Sequence, residues 1–114
     1  PPMNYRDLTQ SVSKNLKTLH QESPELMQGF GLLSQAALKD GVLDKKTKEF
    51  IALAIGVANR CDACIGFHTQ ALVKLDTSFD EFKEVLNVAV MMGGGPSLMY
   101  ASNAIDAFNE FSQK

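Results

Sequence analysis

Nine consecutive apolar residues, Phe50 to Ala58 with the sequence FIALAIGVA, place the strongest constraint on the fold of this chain. A membrane-spanning helix needs about twenty such residues, so this segment is too short to cross a bilayer. Asp44 is a suitable capping residue just upstream, and it predicts a helix from about Lys45 to Asn59. Because a helix that is apolar on every side has to be enclosed, this one predicts a core surrounded by other parts of the protein.

Turn and capping signals divide the rest of the chain into further helices. Ser23 to Glu25 combine an N-cap, a first-position proline and an acid in the first turn, and Gly41 is the predicted C-cap of that helix. Ser78 and Glu81 have the spacing of a capping box, and the segment GGGP at 93–96 separates the last two helices. No segment alternates polar and apolar residues between turns, as a strand would. The predicted fold is all-α, with about six helices.

Length and composition narrow the range of functions. The 114 residues, 45% hydrophobic and 21% charged, are typical of one globular domain spanning 1–114. A net charge of −2 gives no basic face that would bind nucleic acid. The chain also has no apolar segment long enough to cross a membrane. The first ten residues lack the apolar stretch of a signal peptide, and two cysteines do not form the framework of a small secreted domain. A cytoplasmic location is therefore expected.

Both cysteines and one of the two histidines lie in the segment CDACIGFHTQ, residues 61–70. Residues three and four apart share a helix face, so Cys61, Cys64 and His68 line one side of a helix that begins near Asp62. The unpaired N–H groups of a helix start favour a thiolate; Arg60 would add to this effect and Asp62 would oppose it. His68 is placed to accept or relay a proton. The apolar stripe of this helix is predicted to comprise Cys64, Phe67, Ala71, Leu72 and Leu75, with His68 inside it.

Glu49 is the candidate for orienting His68. If the helices before and after the turn at Asn59 and Arg60 form an antiparallel hairpin, Glu49 and His68 lie at similar distances from that turn. A rise of 1.5 Å per residue leaves a mismatch of only about 3 Å along the axis. The hairpin can therefore stack Glu49, His68 and Cys64 as a carboxylate–imidazole–thiol relay.

The pattern Glu49, eleven residues, Cys61, two, Cys64, three, His68 resembles the carboxymuconolactone decarboxylase-like superfamily, specifically its alkylhydroperoxidase D-like branch. The resemblance covers about 43–108 and implies an all-helical fold. It further implies that Cys64 attacks a hydroperoxide, that Cys61 is the resolving thiol, and that Glu49 and His68 relay protons. It implies no flavin, nicotinamide or metal cofactor. The implied partners are a hydroperoxide, a dithiol or protein thiol that acts as reductant, and further copies of the chain in a trimer or hexamer.

Other interpretations of the same residues remain open. Several alkylhydroperoxidases have a second histidine between the cysteines, where this chain has Asp62 and Ala63. A decarboxylase-like enzyme of the same superfamily would leave the two thiols unexplained. A non-catalytic binding or assembly protein could keep an unreactive cysteine pair in its core. Alternatively, Cys61, Cys64, His68 and Glu49 could together supply four zinc ligands. The pair Met91–Met92 is expected in the core or at a subunit contact.

Overall fold

The computed structural model describes residues 4–113 and contains six α-helices. They are α1 (Tyr5–Glu22), α2 (Pro24–Leu38), α3 (Lys45–Ala58), α4 (Asp62–Lys74), α5 (Phe79–Gly93) and α6 (Gly95–Ser112). No strand occurs between residues 4 and 113, so the predicted all-α fold of about six helices is confirmed. None of these helices combines the length and the apolar character needed to cross a membrane.

The predicted capping residues begin three of the helices. Asp44 accepts a hydrogen bond from the backbone N–H of Thr47 at 2.8 Å and caps α3. Ser78 and Glu81 form the predicted capping box of α5, each side chain accepting from the backbone N–H of the other at 3.1 and 3.0 Å. Ser23 lies at the N-cap of α2 but makes no side-chain capping bond.

The predicted C-cap of α2 at Gly41 is wrong. The helix ends at Leu38, and Lys39 already has extended backbone angles of φ −66° and ψ 153°. Gly41 lies in the bend that follows, outside the left-handed region that a glycine cap would use. Asp40 organises this connection instead, because its carboxylate accepts a hydrogen bond from the backbone N–H of Lys45 at 2.6 Å.

The core lies between α3, α4, α5 and α6. Its buried side chains are Leu53, Val57, Ile65, Leu72, Phe82, Leu86, Ala89, Ala101, Ala104, Ala107 and Phe108. The rings of Phe82 and Phe108 meet at a centroid distance of 4.8 Å. Alanines on α6 let this helix approach its neighbours closely, so the aromatic side chains of α5 and α6 fill the space between them.

The predicted apolar stripe of α4 is largely wrong. The residues of α4 with buried side chains are Ile65, Thr69 and Leu72, whereas Cys64 and His68 are only partly buried. Helix α4 packs against α1, α3 and α6, so the side chains that point between these three helices are the most buried. The Cys64 sulfur and the His68 imidazole consequently lie at the edge of the core and are partly exposed.

Helix α1 crosses α4 at Gly66, where the two helices approach each other closely. A Cβ atom added to Gly66 would lie 2.8 Å from Cγ2 of Thr9, so a larger residue at this position would push α1 away. The start of α1 is anchored to α6 by Glu110, whose carboxylate accepts from the backbone N–H groups of Tyr5 and Arg6, both at 3.1 Å. A carboxylate at a helix N-terminus satisfies unpaired donors and interacts favourably with the helix dipole.

Within a single chain, α3 is enclosed on one side only, and its enclosure on the other side stays a prediction. Leu53 and Val57 are fully buried, but Ile51 and Ile55 on the other side of the helix are 47% and 54% exposed. Met91 and Met92, expected in the core or at a subunit contact, lie outside the core of one chain, where their side chains are 71% and 75% exposed, so the subunit contact stays the prediction for them. Helix α2 has no buried residue at all.

Candidate functional site

The turn between α3 and α4 determines where the cysteine pair lies. Arg60 has a positive φ of 56°, the left-handed conformation that ends many helices. The backbone N–H of Arg60 donates to the carbonyl of Val57 at 3.1 Å, and that of Cys61 donates to Gly56 at 3.0 Å. This pair of hydrogen bonds is the Schellman motif, with an arginine at the position where glycine is commonest. The motif reverses the chain within three residues and places Cys61 at the start of α4.

Cys61 and Cys64 form a disulfide across the first turn of α4, with their Cα atoms 5.2 Å apart. Cys61 is the N-cap residue, and its Sγ accepts a hydrogen bond from the backbone N–H of Cys64 at 3.1 Å. The same N–H can stabilise a Cys61 thiolate after the disulfide is reduced, because donors at a helix start favour the charged form of sulfur.

Glu49 and His68 meet across the α3–α4 hairpin, at the positions that the axial spacing predicts. The Nδ1 atom of His68 lies 2.5 Å from Oε1 of Glu49. Glu49 is only 3% exposed, whereas the His68 side chain is 28% exposed. A buried carboxylate that binds Nδ1 fixes the orientation of the ring and leaves Nε2 available for proton transfer. His68 is one helical turn beyond Cys64, so its ring lies along the same side of α4 as the thiol.

Gly56 allows α3 and α4 to approach each other at the cysteine pair. A Cβ atom added to Gly56 would lie 3.1 Å from Cβ of Cys64 and 3.7 Å from the backbone nitrogen of Ile65. Gly56 is not among the site residues predicted from the sequence. The available signal was a glycine in the middle of an apolar helix, where it costs about 1 kcal/mol relative to alanine and therefore calls for a structural reason.

Two distant side chains bind Asp62, the first residue of α4. The Tyr5 hydroxyl donates to Oδ1 of Asp62 at 2.5 Å, and the Asn103 amide donates to the same oxygen at 3.2 Å. Burial, followed by the hydrogen bond to Asp62 and the nearby carboxylates, raises the pKa of Tyr5. The hydroxyl therefore remains a proton donor at physiological pH. The sequence contains no local signal for this network, because its members are 57 and 41 residues apart.

A pocket of about 550 Å³ reaches Glu49 from the side of α2. Its other lining residues are Ser34, Gln35, Leu38, Lys39, Asp40 and Lys45. No group of three or more His, Cys, Asp or Glu side chains within residues 4–113 is arranged to hold a metal ion, and the sulfurs of Cys61 and Cys64 are bonded to each other.

Comparison with known proteins identifies relatives over nearly the whole chain. An uncharacterized protein from Cupriavidus necator is 37% identical over 98 residues, which cover 86% of this chain and 87% of the relative. An uncharacterized protein from Haemophilus influenzae is 33% identical over 106 residues, which cover 93% and 94% of the two chains.

Solved structures share the same fold. A carboxymuconolactone decarboxylase family protein from Legionella pneumophila superposes with a TM-score of 0.94 at 55% identity. The superposition covers 96% of this chain and 97% of the Legionella pneumophila chain. A family member from Thermotoga maritima, for which a part in an antioxidative response has been suggested, superposes with a TM-score of 0.81 at 27% identity and coverages of 90% and 87%. The sequence model that describes the carboxymuconolactone decarboxylase family matches residues 24–107 of this chain. The matched segment includes the hairpin with Glu49, the cysteine pair and His68. The chain therefore belongs to the carboxymuconolactone decarboxylase family.

Proposed function

We propose that this protein is a thiol-dependent peroxidase of the alkylhydroperoxidase D-like type, which reduces hydroperoxides through Cys61 and Cys64. The observation that carries the proposal is the 2.5 Å contact between Glu49 and His68, one turn from a bonded cysteine pair. A purely structural disulfide would have no use for an oriented imidazole beside it. The antioxidative response suggested for the Thermotoga maritima relative agrees with this chemistry.

In the proposed reaction the Cys64 thiolate attacks the terminal oxygen of a hydroperoxide. The O–O bond breaks, Cys64 becomes a sulfenic acid, and the alkoxide leaves as an alcohol after it takes a proton from His68. Glu49 stabilises the imidazolium before this transfer and keeps Nε2 directed toward the reacting groups. The Cys61 thiol then loses its proton and attacks Sγ of Cys64; the sulfenic oxygen leaves as hydroxide, takes up that proton to become water, and the disulfide forms.

An external dithiol or protein thiol completes the cycle by thiol–disulfide exchange. The hydrogen bond from the Cys64 N–H to Sγ of Cys61 makes Cys61 the better leaving group in this step. The incoming thiol therefore attacks Cys64 and forms a mixed disulfide there, which a second thiol resolves. Two electrons pass from the dithiol to the peroxide in each cycle.

Titration of the thiols tests the proposal. The reduced protein should lose two thiols for each equivalent of hydroperoxide added, and one intramolecular disulfide should appear by mass spectrometry. The sample should first be shown to be free of metal, since a zinc-bound cysteine pair would react slowly until a chelator was added. Reduced, metal-free protein that retains both thiols in excess peroxide would refute the peroxidase function.

A decarboxylase-like activity is the second candidate, because the matching family model carries the name of a decarboxylase. That chemistry does not need the cysteine pair. It therefore predicts full activity toward a carboxylated lactone in a protein with both Cys61 and Cys64 changed to serine, whereas the peroxidase would be inactive.

We further propose that the protein is a homo-oligomer, a trimer or a hexamer, in which α2 contacts another copy. The accessible surface of one chain is 7579 Å², whereas a compact monomer of this mass exposes roughly 6200 Å². The excess of about 1400 Å² exceeds the roughly 800 Å² that each partner buries in a standard interface. Leu26, Phe30 and Leu33 lie on one face of α2 and are 64%, 61% and 63% exposed.

Light scattering tests the assembly. The wild-type protein should have a mass several times 12.5 kDa at micromolar concentration. Leu33→Glu should reduce that mass, while Gln28→Glu should not, because Gln28 lies on the opposite side of α2 and receives the same charge. A wild-type protein found only as a 12.5 kDa monomer would contradict the proposal.

A further inference from the structure

The carboxylate of Asp62 presents an electrostatic problem for the proposed chemistry. Asp62 follows Cys61 directly and is the first residue of α4. A full negative charge at this position opposes the thiolate that the helix start otherwise favours. A protein that relies on acidic thiols therefore needs a means of restraining this carboxylate.

The structure contains such a restraint. Oδ1 of Asp62 accepts hydrogen bonds from the Tyr5 hydroxyl and from the Asn103 amide, so α1 and α6 together hold the carboxylate. Packing alone does not hold it, because a pocket of about 240 Å³ borders Asp62, Tyr5 and Asn103. Charged neighbours do not neutralise it either: Asp106 borders the same pocket, and the Glu110 carboxylate is bound at the start of α1.

We propose that Tyr5 and Asn103 are positioning residues, which fix and partly neutralise the Asp62 carboxylate so that the start of α4 can stabilise the Cys61 thiolate. The two hydrogen bonds spread the carboxylate charge and direct it toward α1 and α6. Without these hydrogen bonds the Asp62 side chain is free to move, and its negative charge can turn toward the sulfur of the adjacent Cys61. The inference rests on the proposed dithiol function and extends it to residues outside the family motif.

The reduction potential is the first test, because loss of a merely structural contact would not shift it in a defined direction. Tyr5→Phe and Asn103→Leu should each destabilise the reduced form and move the thiol–disulfide equilibrium about three- to tenfold toward the disulfide. This shift corresponds to a potential about 15–30 mV more negative. Equilibration with a glutathione redox buffer, followed by alkylation and mass spectrometry, measures it. Tyr100→Phe is the matched control, since Tyr100 takes no part in the hydrogen bonds to Asp62, and it should leave the potential unchanged.

A double-mutant cycle then tests whether the effect passes through Asp62. Asp62→Asn removes the charge, so Tyr5→Phe should have no further effect on the potential in the D62N background. The alkylation rate of Cys61 as a function of pH, measured in the Cys64→Ala background, should show a less acidic thiol after Tyr5→Phe. Circular dichroism should stay helical in all variants, and Asn103→Leu provides the same test if Tyr5→Phe does not fold.

The result that would overturn the inference is a wild-type potential in both Tyr5→Phe and Asn103→Leu, or an equal shift in the D62N background. These measurements use no peroxide. A shifted potential in a protein that does not consume peroxide would therefore support the positioning role while refuting the proposed peroxidase function.

Discussion

The change Glu49→Gln tests the proton relay most directly. The side chain keeps its shape and can still hydrogen-bond to Nδ1 of His68, but its negative charge is lost. The wild-type contact is 2.5 Å long and its carboxylate is 4% exposed, so solvent screens it little. A hydrogen bond to a charged group contributes about 1.5–3 kcal/mol, and the imidazolium in the transition state would lose that stabilisation. Each 1.36 kcal/mol added to the activation free energy lowers the rate tenfold, so thiolate attack should slow by about 10- to 150-fold.

Removal of the imidazole should cost more. His68→Gln eliminates the titrating group itself, and a positioned acid–base group commonly contributes a factor of about 10²–10⁴. The double variant with Glu49→Gln and His68→Gln should be little slower than His68→Gln alone, because members of one catalytic unit are far from additive.

Stopped-flow mixing of reduced protein with a hydroperoxide measures these rates. Glu84→Gln is the matched control, since this exposed glutamate on α5 takes no part in the contact with His68 and its change should leave the rate unaltered. Circular dichroism should show the same helical content in every variant. Rates within about twofold of wild type in both Glu49→Gln and His68→Gln, with the fold intact, would refute the relay and mean that the thiols react without it.

Three further predictions concern the thiols, the core and the α3 cap. Cys64→Ser should abolish peroxide consumption, whereas Cys61→Ser should permit a single turnover that leaves a sulfenic acid on Cys64; multiple turnovers by Cys61→Ser would show that Cys61 is not the resolving thiol. Leu53→Ala should lower the free energy of unfolding by about 2–5 kcal/mol in denaturant titrations, because the side chain is fully buried, and a loss under 1 kcal/mol would contradict its core role. Hydrogen bonds from Thr47 lower the pKa of Asp44, so the charged cap stabilises the fold above the unfolded pKa of about 4 and loses this effect as the pH falls through the folded pKa. Asp44→Ala should therefore lower the melting temperature at pH 7 and differ less from wild type near pH 2; an equal difference at both pH values would show that the carboxylate charge does not contribute.

The sequence alone determined the features that depend on neighbouring residues. Helix starts at Asp44 and Ser78 were predictable because a capping side chain binds N–H groups only two or three residues away. The approach of Glu49 to His68 was predictable as well, although they are 19 residues apart, because a helical hairpin has a constant rise and a known turn. The cysteine pair follows from the same local geometry.

Only the tertiary structure decided which side of each helix is enclosed and which distant groups meet. Helix α4 buries Ile65 rather than Cys64 because three helices surround it, and no periodicity in its own sequence reveals their positions. The hydrogen bond from Tyr5 to Asp62 joins residues 57 positions apart, and it exists because Gly66 lets α1 cross α4 closely. Capping and periodicity act over one or two turns, whereas the packing of helices depends on the shapes of side chains that are far apart in the chain.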